Sequence, residues 1–124
     1  MLELPSLSSE TLWAILEERM TDQMVNALLW HYLGYRYDQA EQRWDTSQVS
    51  TVWLEAYPEP PNFIDSRPAT IKLTRSIPPE HKQLLKEELG FPGYRVDQLN
   101  PRRTRRATAV NWFLHYLKEH PESA

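Results

Sequence analysis

The chain has 124 residues, of which 40% are apolar and 25% charged, with five Trp, six Tyr and no Cys, and its formal net charge is −3. This length and composition predict one globular domain over residues 1–124, and they exclude a disulfide framework, a cysteine nucleophile and cysteine-ligated metal. The acidic balance argues against general nucleic-acid affinity. Because the chain lacks a signal peptide and any apolar run of roughly 20 residues, we expect a non-secreted protein without membrane association.

Two consecutive helices are predicted at the start of the chain. Ser8 or Ser9 can cap the first helix, which should run to about Met20, and Thr21 and Asp22 give the capping signal of a second one that Gly34 should end. Both segments carry apolar residues at helical spacing. Because almost no loop separates the two helices, they should form a tight corner.

Aromatic and polar residues alternate in the next segment. Residues 35–38 and 42–45 surround a short polar centre, which predicts a β-hairpin. Ser47 or Ser50 can cap a short helix, which should stop before Pro58. The proline-rich passage 57–68 retains Tyr, Phe and Ile, which is typical of an ordered loop packed on the core.

The cleanest alternation in the chain lies at residues 69–77, where apolar side chains occupy every second position up to Leu73. This pattern predicts a β-strand. Pro79 can open a further helix that Gly90 ends, and residues 91–96 are typical of a turn with one more short strand. Together the elements predict an α+β domain, in which a small antiparallel sheet (the hairpin plus one or two strands) packs against about four helices.

The last helix carries the clearest charge anomaly. Asn100 suits its N-cap and Pro101 its first position, and a core-facing stripe follows at helical spacing. Four arginines crowd its first turns, where the helix dipole is already positive and favours carboxylates. We name them the arginine cluster: Arg102, Arg103, Arg105 and Arg106.

Three explanations of this cluster remain open. The arginines can pair with acidic residues of the same chain, for example Glu55, Glu59 or Asp97. They can instead bind an acidic protein partner, because arginine next to Trp112 and Tyr116 along one stripe has the composition of an interface hot spot. They can also bind phosphate or RNA. The accessory residues for that third case are Lys72, Arg75, Tyr35 and Tyr37.

Motifs for catalysis or metal binding are absent from the sequence. The four histidines show no metal-ligand spacing, no Gly-x-Ser-x-Gly motif occurs, and three glycines cannot form a phosphate-binding loop. Neighbouring carboxylates such as Glu17 and Glu18 diverge on a helix. The sequence therefore predicts no catalytic residue, no cofactor and no metal, and a protein that is not an enzyme.

Five stretches of the sequence carry a resemblance when taken together: WHYLGYRY (30–37), YPEPP (57–61), SRPA (66–69), KLTRSIPP (72–79) and PRRTRRA (101–107). They resemble a small family of uncharacterised cyanobacterial proteins with relatives in plant plastids. The family has no established activity, so the resemblance implies no functional residues. It does imply a setting in the cyanobacterial cytoplasm or the plastid stroma.

Our first hypothesis from the sequence is a non-enzymatic protein-interaction module of the assembly-factor or regulatory kind. In this hypothesis the arginine-rich start of the last helix binds an acidic surface of a protein partner. The alternative is an anion or RNA binder that uses the same arginines and the aromatic hairpin, although nucleic acid is the less favoured partner.

Overall fold

Residues 3–123 are described by a computed structural model, in which six α-helices and one β-hairpin follow one another along the chain. The hairpin strands β1 (Arg36–Asp38) and β2 (Arg43–Asp45) pair antiparallel. Single 3-10 turns lie at Pro79–His81, Val96–Gln98 and Pro121–Ser123. The predicted α+β class is confirmed. The helices are α1 (Ser9–Leu16), α2 (Asp22–Leu33), α3 (Thr51–Ala56), α4 (Arg67–Arg75), α5 (Leu84–Leu89) and α6 (Pro101–Glu119).

The predicted corner between the first two helices is present. Ser8 caps α1 through a hydrogen bond from the Thr11 amide, and Thr21 caps α2 through one from the Met24 amide. The first helix ends at Leu16 rather than near Met20, since Glu18 adopts a left-handed conformation with φ of 60° that interrupts the helix.

Gly34 ends α2 as predicted, for two reasons that only the structure shows. Its φ of 108° is a left-handed value that other residues rarely adopt. A Cβ at this position would also lie 2.4 Å from the carbonyl oxygen of Gln48, where no side-chain atom fits. The chain can therefore turn from α2 into the hairpin only at a glycine.

Helix α6 lies at the centre of the molecule and packs against α1, α2, α4 and α5. Its stretch from Ala109 to Leu114 is buried at six consecutive positions. Since a helix turns once every 3.6 residues, six buried positions in a row enclose it on all sides. Of the predicted core stripe, which consists of Val110, Phe113, Leu114 and Leu117, the first three residues are buried and Leu117 is partly buried, but the burial extends around the whole helix.

The predicted strand at residues 69–77 is wrong, because this segment forms the helix α4. Ser66 caps it through the Ala69 amide at 3.3 Å, and Pro68 occupies its first turn. The buried residues Ala69 and Leu73 are four positions apart, as on one face of a helix. The further short strand expected at 91–96 does not form either, and the Val96–Gln98 turn follows this segment.

The proline-rich passage is an ordered loop packed on the core, as predicted. Phe63 and Ile64 are buried, and the Asn26 side chain accepts a hydrogen bond of 2.8 Å from the Phe63 amide. The indole of Trp30 donates to the Pro61 carbonyl at 2.6 Å.

Among the described residues, no helix combines the length and apolarity that crossing a bilayer requires.

Candidate functional site

Arg106 of the arginine cluster is buried, with 5% of its surface exposed. Its guanidinium donates to the carbonyls of Ile15 at 3.0 Å and Met20 at 2.7 Å, and to Asp22 Oδ1 at 2.7 Å. The Ile15 carbonyl lies in the last turn of α1, where the helix dipole is negative and attracts a cation, and the Met20 carbonyl lies in the turn between α1 and α2. Arg106 therefore joins α6 to the corner between α1 and α2.

The other three arginines of the cluster also contact this chain. Arg102 forms ion pairs with Asp22 and Asp65. Arg103 pairs with Glu18 and donates to the Gln98 carbonyl at 2.6 Å. The third, Arg105, donates to the Ile64 carbonyl at 2.8 Å. Acidic residues of the same chain are thus partners, but they are Asp22, Asp65 and Glu18 instead of the suggested Glu55, Glu59 and Asp97.

These contacts change the acidity of the groups involved. The hydrogen bond from Arg103 lowers the pKa of Glu18, and the charges of nearby arginines add to this effect. The same hydrogen bond raises the pKa of Arg103. Burial lowers the pKa of Arg106, opposed by the charge of Glu18. The cluster is therefore an internal network of positive and negative charges.

Trp112 and Tyr116, the aromatic members of the predicted stripe, do not continue it as an exposed surface. Trp112 is 6% exposed and packs edge-on against Phe113. Tyr116 is half-buried, with its ring stacked on His120 at 4.0 Å and edge-on to Tyr32 at 4.9 Å. The six proposed partner-binding residues thus do not form one open face in this structure.

The aromatic hairpin likewise packs inwards. Tyr35 is 2% exposed, its hydroxyl donates to the Tyr57 carbonyl at 2.7 Å, and burial raises its pKa. Trp44 lies edge-on to Trp30 at 5.5 Å. Tyr37, 46% exposed, lies edge-on to Trp44 at 5.2 Å. The buried ring of Tyr35 is therefore closed to base stacking, whereas Tyr37 remains partly exposed.

Lys72 and Arg75, proposed as accessory residues, line a groove between α3 and α4. We call it the α4 groove, and its volume is about 580 Å³. Arg67 is the third cation on its rim, and the lining contains no carboxylate. Within residues 3–123 none of these three cations forms an ion pair. The apolar lining consists of Val52, Trp53, Pro68 and Ile71.

Sequence reasoning missed Arg67 and the apolar side of this groove because the segment was predicted as a strand. A strand places Ile71 and Lys72 on opposite faces, whereas a helix lets both reach the same groove. The signal was present in the sequence, since Ser66 followed by Pro68 is typical of a helix start. Arg67, Ile71 and Arg75 then recur at the four-residue spacing of one helical face.

A second group of polar side chains lies between the Pro79–His81 turn and α6. His81, in the Pro79–His81 turn, places its Nδ1 2.8 Å from Nδ1 of His115 on α6. Potential ligand atoms of these two histidines and Glu119 all lie within 4.8 Å of one another. Burial lowers the pKa of His115, and the charge of His81 lowers it further.

The sequence could not reveal this group as a whole, because its two histidines are 34 residues apart. One local signal existed. His115 and Glu119 are one turn apart on α6 and therefore share a face. The histidines show no metal-ligand spacing along the chain, yet the fold brings His81 and His115 together from two different elements.

Comparison with known proteins places the chain in a family. A family model described as a domain of unknown function, DUF1823, matches residues 6–118. The chain belongs to this family. A solved structure, described as a solution NMR structure of a protein, is similar to it with 53% identity and a TM-score of 0.83, and the match covers 96% of this chain and 99% of the other. A search of curated proteins found no match.

Proposed function

We propose that the protein is a non-enzymatic protein-interaction module whose α4 groove binds an acidic, amphipathic segment of a protein partner. The observation that carries this proposal is the groove itself, with an apolar floor and three cations without ion-pair partners in the described chain. Apolar contacts would provide affinity, and the cations would select negative charge.

The charge distribution supports the α4 groove over the arginine cluster as the binding surface. In the cluster, Arg102, Arg103 and Arg106 already face carboxylates of this chain. A partner would have to displace those contacts before gaining its own. Arg67 and Arg75 are exposed, and binding them requires no such displacement.

Trp53 and Lys72 give the groove a rigid element. Trp53 is 7% exposed and packs edge-on against Phe63, so its ring is fixed by the core. The Lys72 ammonium lies 5.3 Å from the centre of the Trp53 ring, which is cation–π distance. A groove that is already ordered loses little entropy on binding.

The test uses a synthetic helical peptide with leucine and phenylalanine on one face and glutamate on the other. Added to the ¹⁵N-labelled full chain, it should shift amide resonances of α3 and α4. The double variant Arg67→Glu/Arg75→Glu should bind it at least about tenfold more weakly, because two favourable charge contacts become repulsive. The matched control is Arg43→Glu/Lys86→Glu, which reverses two exposed cations outside the groove lining and should bind normally.

Two results would contradict the proposal. One is no shift in α3 and α4 at millimolar peptide. The other is equal weakening in the control variant, which would indicate only the overall charge. A single-stranded oligouridine added in place of the peptide tests the nucleic-acid alternative, since RNA binding would weaken steeply with salt.

The resemblance of the five sequence stretches supports a setting for this module. We infer that it acts in the cyanobacterial cytoplasm or the plastid stroma, with an assembly or regulatory role. The fractionation of a cyanobacterial cell, with the native protein detected by antibody, would test that setting.

A further inference from the structure

We propose that His81, His115 and Glu119 form a binding site for one divalent transition-metal ion, with Zn²⁺ as the best fit. The geometry that points to it is the convergence of their potential ligand atoms within 4.8 Å. Two imidazoles and one carboxylate are a ligand set that suits zinc and its neighbours rather than Mg²⁺ or Ca²⁺. This site lies outside the α4 groove, and the inference does not depend on the proposed function.

The ligands are held in place by their own elements. His115 and Glu119 are one turn apart on α6, and Asn111 lies one turn before them on the same face. The Asn111 amide donates to the His81 carbonyl at 3.0 Å and accepts from the Leu85 amide at 3.0 Å. Asn111 is 6% exposed, so these two hydrogen bonds are buried and hold the His81 turn against α6.

The distances require only small side-chain movements. Zinc bonds imidazole nitrogen at about 2.0–2.1 Å, which places two nitrogens of a tetrahedral site about 3.3 Å apart. The two Nδ1 atoms are now 2.8 Å apart, a hydrogen-bond distance at which one ring donates and the other accepts. Small rotations of the two rings would widen this gap by about 0.5 Å. The ligand atoms now lie within 4.8 Å of one another, so the exposed Glu119 side chain would also swing towards the rings by about 1.5 Å to reach the same spacing.

Coordination through both Nδ1 atoms has a specific consequence. Each ring must then carry its proton on Nε2, whereas the hydrogen-bonded pair has one ring protonated on Nδ1. No proton is gained or lost when both rings are neutral. The protein supplies three ligands, and a water molecule would take the fourth position.

The experiment uses the untagged full chain, freed of metal with EDTA and dialysed. Titration with ZnCl₂ should show one ion per chain by calorimetry and raise Tm by at least about 5 °C at a large excess over Kd, whereas MgCl₂ should do neither. Side-chain ¹H–¹⁵N spectra should show His81 and His115 both in the Nε2–H form, with His31 unchanged.

Variants separate a built site from loose surface binding. Glu119 is exposed, so Glu119→Gln should fold normally and weaken zinc binding by roughly tenfold or more. His115→Gln should weaken it further, while the control Glu55→Gln on α3 should bind as the original chain does. The proposal is overturned if zinc does not bind at micromolar concentration, or if binding survives unchanged in Glu119→Gln and His115→Gln.

Discussion

Arg106 shows why a cation can occupy the first turns of a helix whose dipole disfavours it. Its guanidinium serves other elements, because it reaches the Ile15 carbonyl in the last turn of α1, the Met20 carbonyl between α1 and α2, and the Asp22 carboxylate. Those contacts supply the negative charge that stabilises the guanidinium and that the start of α6 lacks. A charge that is unfavourable within its own element is therefore stabilising across elements.

Replacement of Arg106 by methionine should destabilise the protein. The Ile15 and Met20 carbonyls would lose their donor, and a buried polar group left unsatisfied typically costs about 1–3 kcal/mol, whereas Asp22 is partly exposed and keeps its ion pair with Arg102. Urea unfolding measures this change. The matched control is Arg75→Met, where the side chain is exposed and the expected change is within about 0.5 kcal/mol. Equal stabilities of the two variants would show that the network around Arg106 contributes nothing.

Helix α4 illustrates how an alternating pattern can belong to a helix. Thr70 and Thr74 are typical strand residues, yet their hydroxyls donate to the carbonyls of Ser66 and Thr70, one turn back. Ala69 and Leu73 face the core, and Ile71 lies at the edge of the α4 groove. The element that supplies the proposed binding surface is thus the one for which sequence patterning was misleading.

Two substitutions in α4 distinguish the helix from a strand by thermodynamics. Leu73 is 1% exposed, so Leu73→Ala should cost about 2–5 kcal/mol in the free energy of unfolding. Ile71 is half-buried in the helix, and Ile71→Ala should cost less than half as much. In a strand the two side chains would share one buried face, and their costs would be similar. Denaturant titration of both variants gives the comparison.

At the scale of the whole molecule, the buried residues form one cluster around α6. Side chains from α1, α2, the proline-rich loop, α4 and α5 all contribute to it. Helices that share one core lose their packing together when it is disrupted. The protein therefore has the organisation expected of a single cooperative unit.

We predict one unfolding transition for residues 1–124. The five tryptophans lie on α1, α2, β2, α3 and α6, so fluorescence reports on most of the molecule. Thermal melts followed by tryptophan fluorescence and by far-UV circular dichroism should coincide. Two separate midpoints would mean that the chain contains more than one folding unit.

Stability should fall as the pH decreases from 7 to 5.5. Burial lowers the pKa of both His31 and His115 from the ordinary 6.5, with Arg36 and His81 adding to the respective shifts. Between pH 6.5 and the lowered pKa values of the folded state, the unfolded chain therefore binds more protons than the folded chain. The contribution of these histidines to the free energy of unfolding is fully present above pH 6.5 and is lost as the pH falls through the pKa values of the folded state. The lowered pKa of Glu18 affects the pH dependence of stability only below pH 4.5, which is outside this interval.

Urea unfolding at several pH values in EDTA measures this dependence. His115→Gln cannot titrate and should lose less stability over the same interval. A stability that stays constant or increases towards pH 5.5 would contradict the prediction, and a variant as pH-dependent as the original chain would remove His115 as a cause.

The α+β class and most element boundaries followed from the sequence because they depend on neighbouring residues. Ser8, Thr21 and Asn100 cap helices that begin within a few positions of them, and Gly34 ends α2. The hairpin formed where alternation predicted it, although its strands are shorter. Capping and turn geometry act over a single turn of chain, so a local pattern suffices to predict them.

Only the tertiary structure decided which groups meet. The carboxylates that face the arginine cluster are 37 to 85 residues away from it in the sequence. His81 and His115 are 34 residues apart in the sequence and in contact in the fold. In α4, both periods were compatible with so short a segment, and the structure shows the helix by its Ser66 cap and by the burial of Ala69 and Leu73 with Ile71 only half-buried between them. Local propensities differ by a fraction of a kcal/mol per residue, whereas burying one large apolar side chain contributes about 1.5–3 kcal/mol. Packing therefore determined the contacts, and with them the proposed groove and metal site.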